Sequence, residues 1–323
     1  MRVKKIGKYH VKSNKKSWRR AVKGLAFQRI DSEQTFLPES LAKKIIFFLS
    51  EVKIYKIFKT KNISISFDHD FDLLIDNGKE KIVAFDFSKN IIIKKYRDNE
   101  LFDKNYKIRN IVEVKELSPL IIEWNYENCS YREELVKGKR LNKGNIIKGK
   151  KVIQELWPKL FTLHKNYSFK KSIDFANENV IPNTKEILKS LGISNWWQES
   201  KEVNAEFGFV HGDLKQSNII ISDNQAIVID WDEYFQKALI FTDIFYYLYR
   251  LTLRVNAKKV FNIYFDNKDW LLKPLNYYDK SLMRRNLVYF IYWLNNRYNS
   301  KKRFKEREKM INFIKESKMI FEL

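Results

Sequence analysis

The sequence predicts an α+β protein of two lobes, a sheet-rich first part followed by a mainly helical second part. Three observations carry that expectation. Short apolar runs of strand length, separated by turn residues, crowd the region between residues 63 and 96. From about residue 145 the apolar residues instead recur at helical spacing. The length, 323 residues, corresponds at roughly 150 residues per domain to two domains or one two-lobed domain.

The elements follow in order. Pro38 can open a helix over 38–59, whose Leu41, Ile45, Phe48, Leu49 and Val52 fit one stripe. Strand-like runs cover 63–67, 71–75, 82–87 and 91–96. Turn signals at Asp76-Asn77-Gly78 and Ser88-Lys89-Asn90 make the last three an antiparallel meander. A helix is expected over 99–109, then strands over 120–124 and 130–135. Gly138, Gly144 and Gly149 mark a loosening of the chain. A helix over 146–164 carries Ile153, Leu156, Trp157, Leu160 and Phe161, with Pro158 as a point of bending. Another helix covers 184–197, strands return within 207–229, and the chain is helical and aromatic-rich from Ala238 onward. The expected division is a basic arm and helix over 1–60, a sheet-rich lobe over 61–140 and a helical lobe over 141–323.

Composition narrows the function classes. Hydrophobic residues make up 44% and charged residues 31%, a globular balance. The single cysteine, Cys129, excludes an internal disulfide and a cysteine-rich zinc module, and it favours a reducing, cytoplasmic setting. The most apolar stretch, 238–249, is interrupted by Thr242 and Asp243, so no transmembrane helix is expected. Net charge is +23, which favours anionic partners, although a Lys-, Asn- and Ile-rich composition also produces it without function. Residues 1–30 contain no acid and carry Lys15, Lys16, Arg19 and Arg20 among their bases. This arm is a candidate for contact with an anionic membrane surface or a polyanionic substrate. The sequence contains no recognised nucleic-acid motif, so nucleic acid is not the expected partner.

The chemistry concentrates in His211-Gly212-Asp213-Leu214-Lys215-Gln216-Ser217-Asn218, followed by Ile229-Asp230-Trp231. Two apolar strand stubs flank a polar turn, with two carboxylates and one amide at fixed offsets. An attacking hydroxyl needs a carboxylate acceptor, and a divalent metal on nucleotide phosphates needs hard oxygen ligands. Asp213 can be the acceptor, Asn218 and Asp230 can hold Mg²⁺, and Lys215 can reach the transferring phosphate.

These paired motifs resemble the aminoglycoside phosphotransferase and choline kinase superfamily, closest to the enzymes that phosphorylate sugars and lipopolysaccharide. The resemblance covers roughly residues 65–255. It implies a two-lobed protein-kinase-like fold, ATP and Mg²⁺ as cofactors, Asp213 as catalytic base, and Asn218 and Asp230 as metal ligands. It also implies that His211 braces the loop and that Asp243 is the buried helix-start aspartate supporting it. In the first lobe Lys94, on the run 91–96, matches the lysine that meets nucleotide phosphates, with Lys95 on the opposite face. Its glutamate partner is open between Glu100 and Glu113. By order along the chain, the nucleotide-covering loop falls at 76–81 with Gly78 as its one glycine. Glu134 and Leu135 fall where backbone groups would meet adenine.

Only residues 231–242 separate Asp230 from Asp243, and no Ala-Pro-Glu follows. That leaves little room for a peptide-docking segment and points to a small-molecule or glycan acceptor, including a lipopolysaccharide sugar. The basic chain suits an anionic acceptor better than a cationic aminoglycoside or choline, and it is compatible with a peripheral position at the inner face of the membrane. Two alternatives belong to other classes: a non-catalytic kinase-like protein that binds membrane or nucleic acid, and an atypical protein kinase. His164 and the pair Trp196-Trp197 read as core residues.

Overall fold

A computed structural model describes residues 2–6, 9–12, 20–21, 61–64, 70–76, 80–141, 146–173, 187–193, 195–196, 203–223, 225–231, 235–275, 280–297 and 304–321. The expected helix over 38–59 lies outside them. The chain divides into two compact units, Met1–Arg140 with Ile220–Asp232, and Leu141–Ile219 with Glu233–Leu323. The segment Ile220–Asp232 thus lies with the first unit rather than with its sequence neighbours.

The first unit is built on an eight-stranded antiparallel sheet. Its strands are β1 (Arg2–Ile6), β2 (Tyr9–Lys12), β3 (Lys61–Ser64), β4 (Leu73–Asp76), β5 (Lys81–Asp86), β6 (Ile91–Tyr96), β7 (Ile121–Asn125) and β8 (Ser130–Glu134). Their order is β3-β1-β2-β4-β5-β6-β8-β7. The meander β4-β5-β6 is the one the turn signals predicted. Its core strands read as apolar runs because both faces are covered. Leu73, Ile75 and Phe85 pack on one face with Ala21 and Leu135, whereas Leu74, Ala84 and Ile93 pack on the other with Phe71. The basic arm is corrected here. Arg2–Ile6 and Tyr9–Lys12 are strands of this sheet, Ala21 is fully buried, and Arg20 lies 3.4 Å from Asp72. Loss of these residues would therefore take away two strands and a core side chain.

Helix α1 (Asn99–Arg109) begins where Asp98 caps it, its carboxylate accepting from the Glu100 N–H at 2.8 Å. It buries Phe102, Asn105, Ile108 and Arg109. Helix α2 (Val112–Leu117) follows. Cys129 is a turn residue with φ +45°. A small sheet of β9 (Lys139–Arg140), β12 (Ile219–Ser222) and β13 (Gln225–Val228) completes the unit.

In the second unit the long helix α3 (Ile146–Asn166) buries Ile153, Leu156, Trp157, Leu160 and Leu163 along one stripe. Trp157 donates to the Leu271 carbonyl at 2.9 Å. Gly149 is inside this helix rather than at a loosening. A Cβ there would stand 2.7 Å from the Tyr264 hydroxyl and 2.9 Å from that of Tyr247, so the glycine permits close helix packing. His164 is a core residue, as expected, and burial pulls its imidazole down to about 4. The expected helix over 184–197 is interrupted at Gly192, with φ +64°, between the helical residues 187–190 and 195–196, and 184–186, 194 and 197 lie outside the described residues. Strands β10 (Phe169–Ile173), β11 (Val203–Val210) and β14 (Phe235–Leu239) form a second three-stranded sheet. The strand β14 occupies the start of the run that read as helical from Ala238. Helices α4 (Thr242–Thr252), α5 (Ala257–Tyr264), α6 (Asp269–Leu272), α7 (Lys280–Arg297) and α8 (Phe304–Ile320) follow. Phe245, Tyr249, Phe261, Phe290 and Phe313 interlock by ring contacts among α4, α5, α7 and α8. Among the described residues no helix is long and apolar enough to cross a membrane.

Candidate active site

In the first unit, strand register sets the charges. Val83 lies opposite Lys94, Lys81 opposite Tyr96, and Ile92 opposite Glu133, so Lys81, Lys94 and Glu133 share one face of the sheet. Lys95 takes the other face. The Lys94 Nζ lies 3.0 Å from the Glu133 carboxylate, and the Arg109 guanidinium lies 3.3 Å from the other oxygen of that carboxylate. Arg109 also donates to the Pro119 carbonyl at 2.6 Å. The partner of Lys94 is therefore Glu133, across the ladder on β8, and neither Glu100 nor Glu113. Burial opposes the charge on Lys94, but the carboxylates of Glu133 and Asp230 outweigh it and hold its pKa above the ordinary lysine value.

Lys81, Lys94, Glu133 and Asp230 line one pocket, whose apolar wall includes Val83 and Leu135. Asp230 follows β13 in the left-handed region, at φ +66°, an uncommon conformation for an aspartate and one that clusters at functional sites. Its side chain is 48% exposed and lies 3.5 Å from the Lys81 Nζ. Glu134 and Leu135 also line the pocket. Their backbone N–H groups are already engaged, with the carbonyls of Leu120 at 2.9 Å and Asn90 at 2.8 Å. A base meeting these two residues would find those donors in use. Gly78 lies outside the described residues.

In the second unit, β11 runs into the motif loop. Gly212 takes φ +75°, a conformation glycine adopts without steric cost, and the chain turns there into Asp213. Asp243, at the start of α4, accepts from His211 N–H at 2.6 Å and from Gly212 N–H at 2.9 Å. Burial pushes the Asp243 carboxyl up, opposed by His211 and by those two bonds. The His211 Nδ1 accepts from the Asp213 N–H at 3.2 Å. His211 and Asp243 thus hold the loop backbone.

The Asp213 carboxylate is in turn fixed by three donors. The Tyr246 hydroxyl meets one oxygen at 3.0 Å; Asn218 Nδ2 at 3.0 Å and Lys215 Nζ at 2.8 Å meet the other. Asn218 Nδ2 also bonds the Asp213 carbonyl at 3.0 Å. With its NH₂ committed to Asp213, the amide presents its oxygen, the atom a metal would use, away from that residue. The single-turn helix Gln216–Asn218 sets this spacing.

Sequence reasoning missed Tyr246, Glu133, Arg109 and Lys81. Tyr246 carried a usable signal, since it stands three residues after Asp243 and so shares its helix face. Removing its hydroxyl takes away one of the donors that hold the Asp213 carboxylate in place. Tyr246→Phe should therefore slow phosphate transfer by roughly tenfold, the scale of one hydrogen bond to a charged group, with Mg-ATP affinity unchanged. A wild-type transfer rate in this variant would show that the hydroxyl does not position Asp213.

Comparisons with known proteins agree with the motif. Residues 166–255 match the family model APH, the phosphotransferase enzyme family. That span contains the loop 211–218 and both Asp230 and Asp243, so the similarity to this family falls on the motif residues. The class that this match describes is that of phosphotransferase enzymes. Three solved structures are similar to a larger part of the chain. A choline kinase from Streptococcus pneumoniae shares 12% identity, covering 86% of this chain and 99% of that one, with a TM-score of 0.44. An aminoglycoside phosphotransferase from Alicyclobacillus acidocaldarius shares 13% identity over 77% and 90%, at 0.46. A thermostable mutant of the aminoglycoside phosphotransferase APH(4)-Ia shares 12% identity over 77% and 93%, at 0.48. No curated protein matches the chain.

Proposed function

We propose that the chain transfers the γ-phosphoryl group of Mg-ATP to a hydroxyl of a small molecule or glycan, with an anionic acceptor such as a phosphorylated or lipopolysaccharide sugar. The observation that carries this is the Asp213 carboxylate, which is buried and held by Tyr246, Asn218 and Lys215 on a loop braced by Asp243. In this role Asp213 would orient the acceptor hydroxyl and take its proton as the new O–P bond forms and the bond from the γ-phosphorus to the bridging oxygen breaks, with ADP as the leaving group. Lys215 neutralises charge on the transferring group. Transfer of this kind depends mainly on positioning and electrostatics, so a rigidly held acceptor and a nearby cation are what the protein must supply.

The residues of the first unit fit a metal–nucleotide. Among the described residues no cluster of three His, Cys, Asp or Glu side chains gathers to hold a metal. Magnesium in nucleotide sites typically needs only one or two protein carboxylates, the phosphates and water completing the shell. The half-exposed Asp230 suits that use, and Lys94 offers positive charge to phosphate; in the second unit the Asn218 amide oxygen is a metal ligand of the same hard type. Mg-ATP supplies the phosphoryl group and the charge that draws it into line. The acceptor class rests on the net charge of +23 and the short segment after Asp230, and the same charge supports contact with an anionic membrane surface from the cytoplasmic side.

A labelled-phosphate assay against a panel tests the acceptor. Purified protein with Mg-ATP should label phosphorylated sugars or lipopolysaccharide core sugars in preference to aminoglycosides and choline. Labelling confined to the cationic acceptors would overturn the proposed acceptor class, and labelling of protein alone would replace it with an atypical protein kinase.

A further inference from the structure

Two lysines, not one, face the pocket of the first unit. Lys81 opens β5 and Lys94 lies on β6, and their register makes them diagonal neighbours on the same face. Their situations differ. Lys94 is 3.0 Å from Glu133, which is shared with Arg109, and all three side chains are less than a tenth exposed. That cation is committed to a buried network whose carboxylate holds two positive groups. Lys81 makes a longer contact, 3.5 Å, with an Asp230 side chain that is 48% exposed. Lys81 is itself largely buried, so its ammonium has little water around it and stands within ion-pair distance of the Asp230 carboxylate on the pocket wall. A buried ammonium that loses one anionic partner is best served by another in its place.

The proposed function assigns Asp230 to a metal. A carboxylate serving a dication no longer balances Lys81, and an incoming polyphosphate is the replacement anion that arrives with that metal. We infer that Lys81 is a phosphate-binding residue of the nucleotide site, paired with Asp230 before the nucleotide enters and with a phosphate oxygen afterwards. This rests on the proposed function, because it takes the nucleotide and the metal role of Asp230 from there. Lys94 contributes its field from a fixed position, whereas Lys81 exchanges partners. The ion pair Lys81–Asp230 also keeps the metal ligand and the phosphate ligand together before loading.

Calorimetry of the full chain with Mg-ATP and with adenosine tests the inference. Lys81→Gln should lose about tenfold to a hundredfold in Mg-ATP affinity, the scale of one charge-assisted bond, with adenosine affinity unchanged. Lys81→Arg should recover most of the loss. Wild-type Mg-ATP affinity in Lys81→Gln would overturn the inference, and so would an equal loss for adenosine, which marks a structural role. If Lys81→Gln does not fold, the wild-type protein answers instead. An adenosine bearing an amine-reactive sulfonyl fluoride in place of the phosphates should modify Lys81, located by peptide mass spectrometry. Modification of Lys94 without Lys81 would overturn the inference. Failure of the wild-type chain to bind any adenine nucleotide would be a different result, removing the proposed function together with this inference.

Discussion

Asp213→Asn should retain Mg-ATP binding while phosphate transfer falls by roughly 10²–10⁴, the usual worth of a general base. Phosphoryl transfer leans on positioning and charge, so the loss is expected toward the low end of that range. Binding should survive because the proposed nucleotide pocket is lined by Lys81, Lys94, Glu133 and Asp230, all in the first unit. The substitution also converts an acceptor of three hydrogen bonds into a group that competes with those donors. Tyr246, Asn218 and Lys215 would lose their common anion. Asp230→Asn should behave differently, weakening Mg-ATP binding as well as transfer, since it removes a proposed metal ligand. Paired calorimetry and transfer assays on both variants separate these patterns. Wild-type transfer by Asp213→Asn would remove Asp213 from its proposed role.

The largest effect on stability should come from Glu133→Ala. Glu133 is the shared anion of Lys94 and Arg109, at 3.0 and 3.3 Å, and none of the three side chains has more than a trace of water contact. Truncating it leaves two buried cations, Lys94 on β6 and Arg109 at the end of α1, without the carboxylate they share. Breaking a buried pair in this way costs about 3–5 kcal/mol, because desolvation is retained while attraction is lost. Urea unfolding should report that loss. Replacing the charged residues together by apolar side chains of similar volume should recover much of it, since the penalty lies in the unpaired charges. A Glu133→Ala loss below about 1 kcal/mol, the scale of an exposed pair, would show that the network is solvated.

What the sequence revealed and what it concealed divide along physical lines. Helix α1 was legible because its signals are local: an aspartate at the cap and an apolar stripe behind it. The loop 211–218 was legible for the same reason, its functional groups lying within a few residues of one another. The partner of Lys94 was not, because Glu133 reaches it through antiparallel register across β6 and β8, which no spacing along the chain encodes. Lys81 was hidden in the same way. Strands β1 and β2 escaped because short, lysine-rich segments carry little alternation and read as a solvated arm. Strand β14 was absorbed into the apolar run that continues into α4, where the helix begins only at Thr242. Gly149 was misjudged because a helical glycine chosen for close approach looks, in sequence, like one chosen for flexibility.

The most direct measurement is the fate of labelled γ-phosphate when wild-type and Asp213→Asn protein are incubated side by side with Mg-ATP and hydroxyl-bearing acceptors. The expected result is a phosphate ester of an alcohol formed by the wild-type chain, reduced by at least roughly a hundredfold in the variant, with nucleotide binding intact in both. Tight Mg-ATP binding with no transfer to any acceptor by the wild-type chain, or equal transfer by the two proteins, would contradict the account.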